Sequence, residues 1–230
     1  MSLTLEIIAT SLADVEAINK SKADQIELVA DLNAGGLTPD LKTIEDAVTL
    51  SKIPINVMLR PHDKSFAYTD DEFDSILTHL TKIKQLRQPP NGIVFGSHTT
   101  HNKINVVQLK QIIDYKGNLA LVFHRAFDQL ANPFEGIETL NKYAAITALL
   151  TSGTKAKAID GVTVIKQLVQ LSKTVKIMVG AGVNLKNIKL LKNKTGATAF
   201  HVGTAVRENG NIEGKILVAE IDKIKDVLVG

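Results

Sequence analysis

The stretch LALVFHRAFDQLANPFEG (residues 119–136) carries an apolar run through a short polar turn into a helix start. LALVFH (119–124) is dense in Leu, Val and Phe, the composition of a buried strand. Asn132-Pro133 with Glu135 reads as a helix N-terminus: a side-chain oxygen for the free N–H groups, a proline where no donor is needed, and an acid in the first turn. The same strand-then-helix unit recurs along the chain. Further strands are predicted at 5–10, 25–30, 53–60, 92–96, 145–152, 175–180 and 199–203. Thr38-Pro39 precedes Leu41, Ile44, Ala47 and Val48 at helical spacing, and Thr69 with Glu72 forms a capping box ahead of Phe73, Ile76, Leu77 and Leu80. Asn184 is the expected cap of the helix holding Ile188 and Leu191, and a last helix is expected from about Glu213 to Leu228. Strand and helix alternation implies a parallel sheet, and eight such units predict one (β/α)8 TIM barrel, class α/β, over residues 1–230. A doubly wound open sheet is the alternative, and no glycine-rich dinucleotide fingerprint supports it.

Composition narrows the function. Apolar residues make up 44% and charged residues 22%, an ordinary globular balance with enough material for a core. There are no cysteines, which removes disulfides, thiolate nucleophiles and thiolate metal ligands together. The N-terminus runs directly into a strand pattern with Glu6 inside it, unlike a signal peptide, and no apolar run is long enough for a membrane span, so a cytoplasmic protein is expected. The net charge of +3 is small, and the lysines of KNIKLLKNK (186–194) interleave with Ile188, Leu190 and Leu191 as on the wet face of a helix. Nucleic acid and membranes are therefore not expected partners.

Parallel strands covered on both faces usually read as continuous apolar runs. Stepping by two along these strands instead collects Glu6, Gln25, Glu27, Asn56, Met58, Arg60, His124 and His201. The opposite parity collects Leu5, Ile7, Ile26, Leu28, Val57, Leu121, Phe123, Phe200 and Val202, which suit a helix layer. The polar set is thus predicted to face the barrel interior, mostly near the C-terminal strand ends, where barrel enzymes place their sites. It can form a pocket, or an internal network of Glu6 and Glu27 with Arg60 or Arg125 that only fills the barrel.

On the pocket reading, His124, Glu27 and Asp128 are the candidate acid-base groups, His124 through a pKa in the working range. Arg60, Arg125, Ser152 and His201 are candidates for holding an anion. Gly180, Gly182 and Gly203, in the loops after the seventh and eighth strands, are expected to offer backbone N–H groups to a phosphate. A residue at an open mouth should also be replaceable at little cost in stability, which is the expectation for His124. Met58 and Met178 read as core filling, His98 and His101 as loop-surface histidines, and His79 as a helix-surface residue. The metal ligands are unknown.

GGLTP (35–39), RP (60–61) followed by FAYTD (66–70), FHRAFD (123–128), LTSG (150–153), GAGV (180–183) and FH (200–201), in this order, resemble the CutC copper homeostasis family. The resemblance spans almost the whole chain. It implies a cytoplasmic (β/α)8 barrel involved in copper binding or trafficking, often a homodimer, with copper as the metal. Where relatives read EICC or RIELC, this chain has Glu6-Ile7-Ile8-Ala9 and Ile26-Glu27-Leu28-Val29, so any cuprous site here must use His and Met. The residues themselves suggest another function, an enzyme acting on a small phosphorylated or carboxylated metabolite.

Overall fold

The structure, a computed structural model, describes residues 3–230. Strands β1 (Thr4–Ala9), β2 (Gln25–Leu28), β3 (Ile55–Met58), β4 (Gly92–Phe95), β5 (Ala120–Phe123), β6 (Ala148–Thr151), β7 (Lys176–Val179) and β8 (Ala199–Val202) are parallel and close into a barrel in chain order. The outer layer is α1 (Leu12–Ile18), α2 (Leu41–Leu50), α3 (Asp70–Lys84), α4 (Val106–Tyr115), α5 (Pro133–Leu140), α6 (Val162–Leu171), α7 (Ile188–Thr195) and α8 (Val218–Val229). The predicted (β/α)8 barrel is the fold; the open sheet is not. Pairing stops short of the ends of several apolar runs, so Arg60, His124, Ser152 and Gly180 lie just beyond β3, β5, β6 and β7, where the chain turns away from the sheet.

Local chemistry sets most helix starts. Thr69 and Glu72 form the capping box of α3, with the Glu72 N–H donating to Thr69 Oγ1 (3.3 Å) and the Thr69 N–H to Glu72 Oε2 (2.9 Å). Asn132 caps α5 by accepting from the Phe134 N–H at 3.0 Å. Three expectations need correction. Asp40, not Thr38, caps α2, because the Thr38 hydroxyl is occupied by the Arg60 backbone, accepting its N–H at 2.7 Å. Asn187 rather than Asn184 occupies the N-cap of α7, since Asn184 Oδ1 accepts the Lys186 N–H in a tight turn. The last helix begins at Val218: the Glu208 N–H donates to Lys215 O and the Leu217 N–H to Val206 O, which commits the preceding residues to a loop.

The large core lies between barrel and helices, where Ile7, Leu28, Val57, Phe123 and Phe200 pack outward as parity predicts, together with Phe95 of β4. Inside the barrel, side chains stack in layers drawn from alternate strands. The pairing register places Glu6, Asn56, Val122 and Met178 in one layer and Glu27, Val94, Leu150 and His201 in the next toward the C-terminal mouth. In these two layers β8, β1, β2 and β3 supply the polar groups, and β4 to β7 supply Val94, Val122, Leu150 and Met178. Met58 and Met178 are packed in that interior apolar cluster, as core filling requires.

Glu6, Gln25 and Asn56 sit deeper than their expected place near the mouth. Gln25 Nε2 and Asn56 Nδ2 donate to Glu6 Oε2 at 2.7 and 3.3 Å, and Asn91 Nδ2 donates to Asn56 Oδ1 at 2.9 Å. A cavity of about 160 Å³ at the N-terminal face touches Gln25, Asn56 and Asn91.

Candidate functional site

The C-terminal mouth opens into a cavity of about 920 Å³, within the usual size of small-molecule sites. Glu27, Arg60, His124, Arg125, Asp128, Gly182, His201 and Gly203 all line it. Ile8, Val29, Met58, Leu150 and Val183 supply its apolar surface.

On the polar side, His201 stands between two carboxylates. Its Nδ1 lies 2.7 Å from Glu6 Oε1 and its Nε2 is 3.6 Å from Glu27 Oε2. Glu6 and Glu27 therefore pair with this histidine rather than with Arg60 or Arg125. Burial alone would lower the His201 pKa, but the charges of Glu27 and Glu6 outweigh it and hold the pKa above its ordinary value. Glu27 is buried and its Oε1 has no partner. Desolvation pushes its pKa up to about 7 despite the opposing pull of His201.

His124 reaches the cavity from the other side of the barrel, with its ring 4.8 Å from that of Phe66. Its Nδ1 accepts the Ala126 N–H at 3.2 Å, capping a 3-10 turn over Arg125–Gln129, so the neutral ring carries its proton on Nε2. That Nε2 is buried and unpartnered. Burial, followed by the charge of Arg60, pushes the His124 pKa down to about 3. The expected titration near neutrality is thus corrected: His124 is a neutral hydrogen-bond donor. Only glycine allows this placement at position 96, where a Cβ would come within 2.6 Å of His124 Nδ1.

Arg60 is also buried. Its Nη1 donates to the Ala34 and Gly36 carbonyls at 2.7 and 3.1 Å, and its guanidinium lies 4.8 Å from the centre of the Phe66 ring. Arg125 and Asp128 form a knot after β5. Asp128 Oδ2 accepts from Arg125 Nε (2.9 Å) and Ser152 Oγ (2.9 Å), while Oδ1 accepts from Thr151 Oγ1 (2.5 Å) and the Thr154 N–H (3.1 Å). A carboxylate so fully engaged orders two loops and has little free lone-pair capacity for a proton from a ligand.

The anion candidates separate into wall and support. Gly182 and Gly203 line the cavity, with Gly182 in the left-handed region at φ +70°. The Gly180 N–H is committed to Thr151 O at 3.1 Å and cannot serve an anion. Ser152 is fully buried behind Arg125, whose Nη2 donates to its hydroxyl at 3.0 Å. Sequence reasoning missed Lys155 and Lys157, which line the wall beside Gly182; their signal was position alone, immediately after LTSG in a C-terminal loop. It also misplaced His98, which is buried and hydrogen-bonded to Thr99 O and to the Gln129 side chain, each at 3.0 Å, so it forms no surface pair with exposed His101. Among the described residues, no group of three or more His, Cys, Asp or Glu is arranged to hold a metal ion, and no helix is long and apolar enough to cross a membrane.

Fold and cavity together define a (β/α)8 barrel protein with a mixed polar and apolar site at its C-terminal mouth. Residues 3–206 match the profile of the CutC family, and the chain belongs to that family. A CutC family protein of Pasteurella multocida is 36% identical over 201 residues, covering 87% of this chain and 81% of the relative. Among solved structures, the protein designated copper homeostasis protein CutC from Streptococcus agalactiae superposes with a TM-score of 0.80 at 28% identity, over 88% of this chain and 98% of that one. Phosphoribosyl anthranilate isomerase from Thermococcus kodakaraensis, at 14% identity and TM-score 0.63 over 98% of both chains, shares the fold alone.

Proposed function

We propose that the mouth of this barrel binds a small phosphorylated or carboxylated metabolite and that the protein is a cytoplasmic enzyme moving a proton on it. The observation that carries the reading is a divergence of two buried groups facing one cavity: Glu27 is raised to about 7 and His124 is lowered to about 3. Such opposed tuning separates a group that exchanges protons from one that stays neutral and donates a hydrogen bond. In this reading Arg60, Arg125, Lys155, Lys157 and the backbone at Gly182 and Gly203 attract the anionic end. The Glu27 carboxylate takes a proton from the ligand, His124 Nε2–H donates to the oxygen on which charge develops, and the proton returns from Glu27 to the product.

Copper homeostasis, part of the designation of the Streptococcus agalactiae relative, is the cellular setting this reading adopts. The residues present do not fit a tight cuprous site on this chain. There is no thiolate, Met178 is packed in the barrel core, the cavity wall offers only the single thioether of Met58 beside the His124 imidazole, and His201 stands between two carboxylates. Purification under reducing conditions with chelator present is expected to leave no stoichiometric copper; tightly held copper would overturn that part.

A thermal-shift panel of phosphorylated and carboxylated metabolites, with inorganic phosphate as the minimal probe, tests the rest. Stabilising ligands should still bind Glu27→Gln, while their exchange of hydrogen for solvent deuterium is lost. No stabilisation by any anion, or undiminished exchange in the variant, would sink the proposal.

A further inference from the structure

One buried ionisable group has no part in the reaction as drawn. Glu6 is 1% exposed and lies one interior layer below Glu27 and His201, out of reach of anything in the mouth cavity. Its carboxylate is nonetheless tightly held: Oε2 accepts from Gln25 and Asn56, and Oε1 faces His201 Nδ1 at 2.7 Å. The opposite nitrogen of the same ring faces Glu27 at 3.6 Å. Three ionisable groups from β1, β8 and β2 therefore stand in line, the inner one hydrogen-bonded and the outer one open to the cavity.

We propose that Glu6 is a positioning residue: it accepts the Nδ1–H of His201, turns the other ring nitrogen toward Glu27, and makes His201 and Glu27 share one proton at the cavity floor. Charge and hydrogen bonding favour this arrangement. Two buried carboxylates beside one imidazole cannot all be satisfied in ionised form, and Glu27, with Oε1 unpartnered, is the carboxylate less able to hold a charge. Glu6, by contrast, has a hydrogen-bond partner at each carboxylate oxygen. The proton moves from His201 Nε2 to Glu27 Oε2, leaving a neutral imidazole that still donates through Nδ1–H to Glu6; the reverse transfer restores the imidazolium. The charged groups acting on His201 are Glu6 from β1, Glu27 from β2 and Arg125 after β5, while the neighbouring interior positions on β7, Met178 and Gly180, are uncharged.

The importance of this arrangement for turnover rests on the reading of Glu27 as the proton-exchanging group, but its test does not. Histidine 15N spectra of the ligand-free protein, with His201 assigned by loss of its signal in His201→Gln, report which nitrogen carries the proton. The neutral form should be the Nδ1–H tautomer, and titration should show His201 and Glu27 coupled. In Glu6→Gln the acid dissociation constant of His201 should increase by about tenfold or more, since an adjacent opposite charge commonly moves a pKa by at least one unit. Glu6→Asp should restore much of that shift. An Nε2–H tautomer in the parent would overturn the proposal without any variant having to fold, and so would an unchanged His201 titration in a folded Glu6→Gln. If the spectra behave as expected but no anion binds and no exchange occurs, the enzymatic reading fails and this one stands.

Discussion

Glu27 and His124 oppose each other in the pH dependence of stability. An unfolded histidine protonates near pH 6.5 while folded His124 does so near 3, so the unfolded state binds more protons across that window. The contribution of neutral His124 is full above about pH 6.5 and is lost as pH falls toward about 3. For Glu27 the folded pKa of about 7 exceeds the ordinary 4.5, so the folded state binds more protons and stability falls as pH rises between the two values. Urea midpoints from about pH 4 to about pH 8 should therefore lose acid sensitivity in His124→Asn and lose the fall toward neutral pH in Glu27→Gln. His124→Ala should also cost roughly 1–3 kcal/mol, because the buried Ala126 N–H loses its acceptor. That revises the expectation of a nearly free substitution at an open mouth. The type and inward direction of His124 were legible from parity in LALVFH; its neutrality was not, since it arises from burial, from Arg60 on another strand and from a turn the residue itself caps.

At the scale of the element, caps were legible where the side chain had no competing partner. Thr69 met only Glu72 and formed the capping box; Thr38 was drawn away by Arg60, a residue 22 positions on, and Asp40 took its place. Thr69→Ala should cost about 1 kcal/mol in urea unfolding, the typical value of such a cap. The loops after β5 and β6 depend on Asp128 in the same way. Asp128→Ala leaves the Ser152 and Thr154 N–H groups without their acceptor, and hydrogen exchange over residues 151–156 should accelerate far more than exchange in β5 itself. Equal exchange in parent and variant would show that Asp128 does not hold the loop. The knot was invisible in the sequence because its members come from the ends of two strands, β5 and β6, that only their pairing in the sheet brings together.

For the whole molecule, alternation of strand and helix and the parity of polar residues were enough to read the barrel and its inward-facing set. Depth along the axis was not legible, because it depends on the stagger of each strand against its neighbours rather than on any one strand. Glu6 and Glu27 look equivalent in sequence yet occupy different layers. The seam where β8 meets β1 has its own fastening, also unreadable locally: Arg207, after β8, donates to Asp14 in α1 at 2.6 Å and to Ile8 O at 3.3 Å, with both charged side chains buried. Removing one member, as in Arg207→Met, leaves a buried carboxylate uncompensated and should cost about 3–5 kcal/mol in urea unfolding. The divided interior also has a stereochemical consequence. At the cavity floor Glu27 and His201 stand on the two staves that flank β1 while Leu150 lines the far side, so a flat ligand settling there meets the exchangeable proton from one face only. Deuterium entering from solvent should accordingly appear at a single enantiotopic position of the product, and a racemic label would mean that the ligand tumbles in the mouth or that Glu27 is not its proton partner.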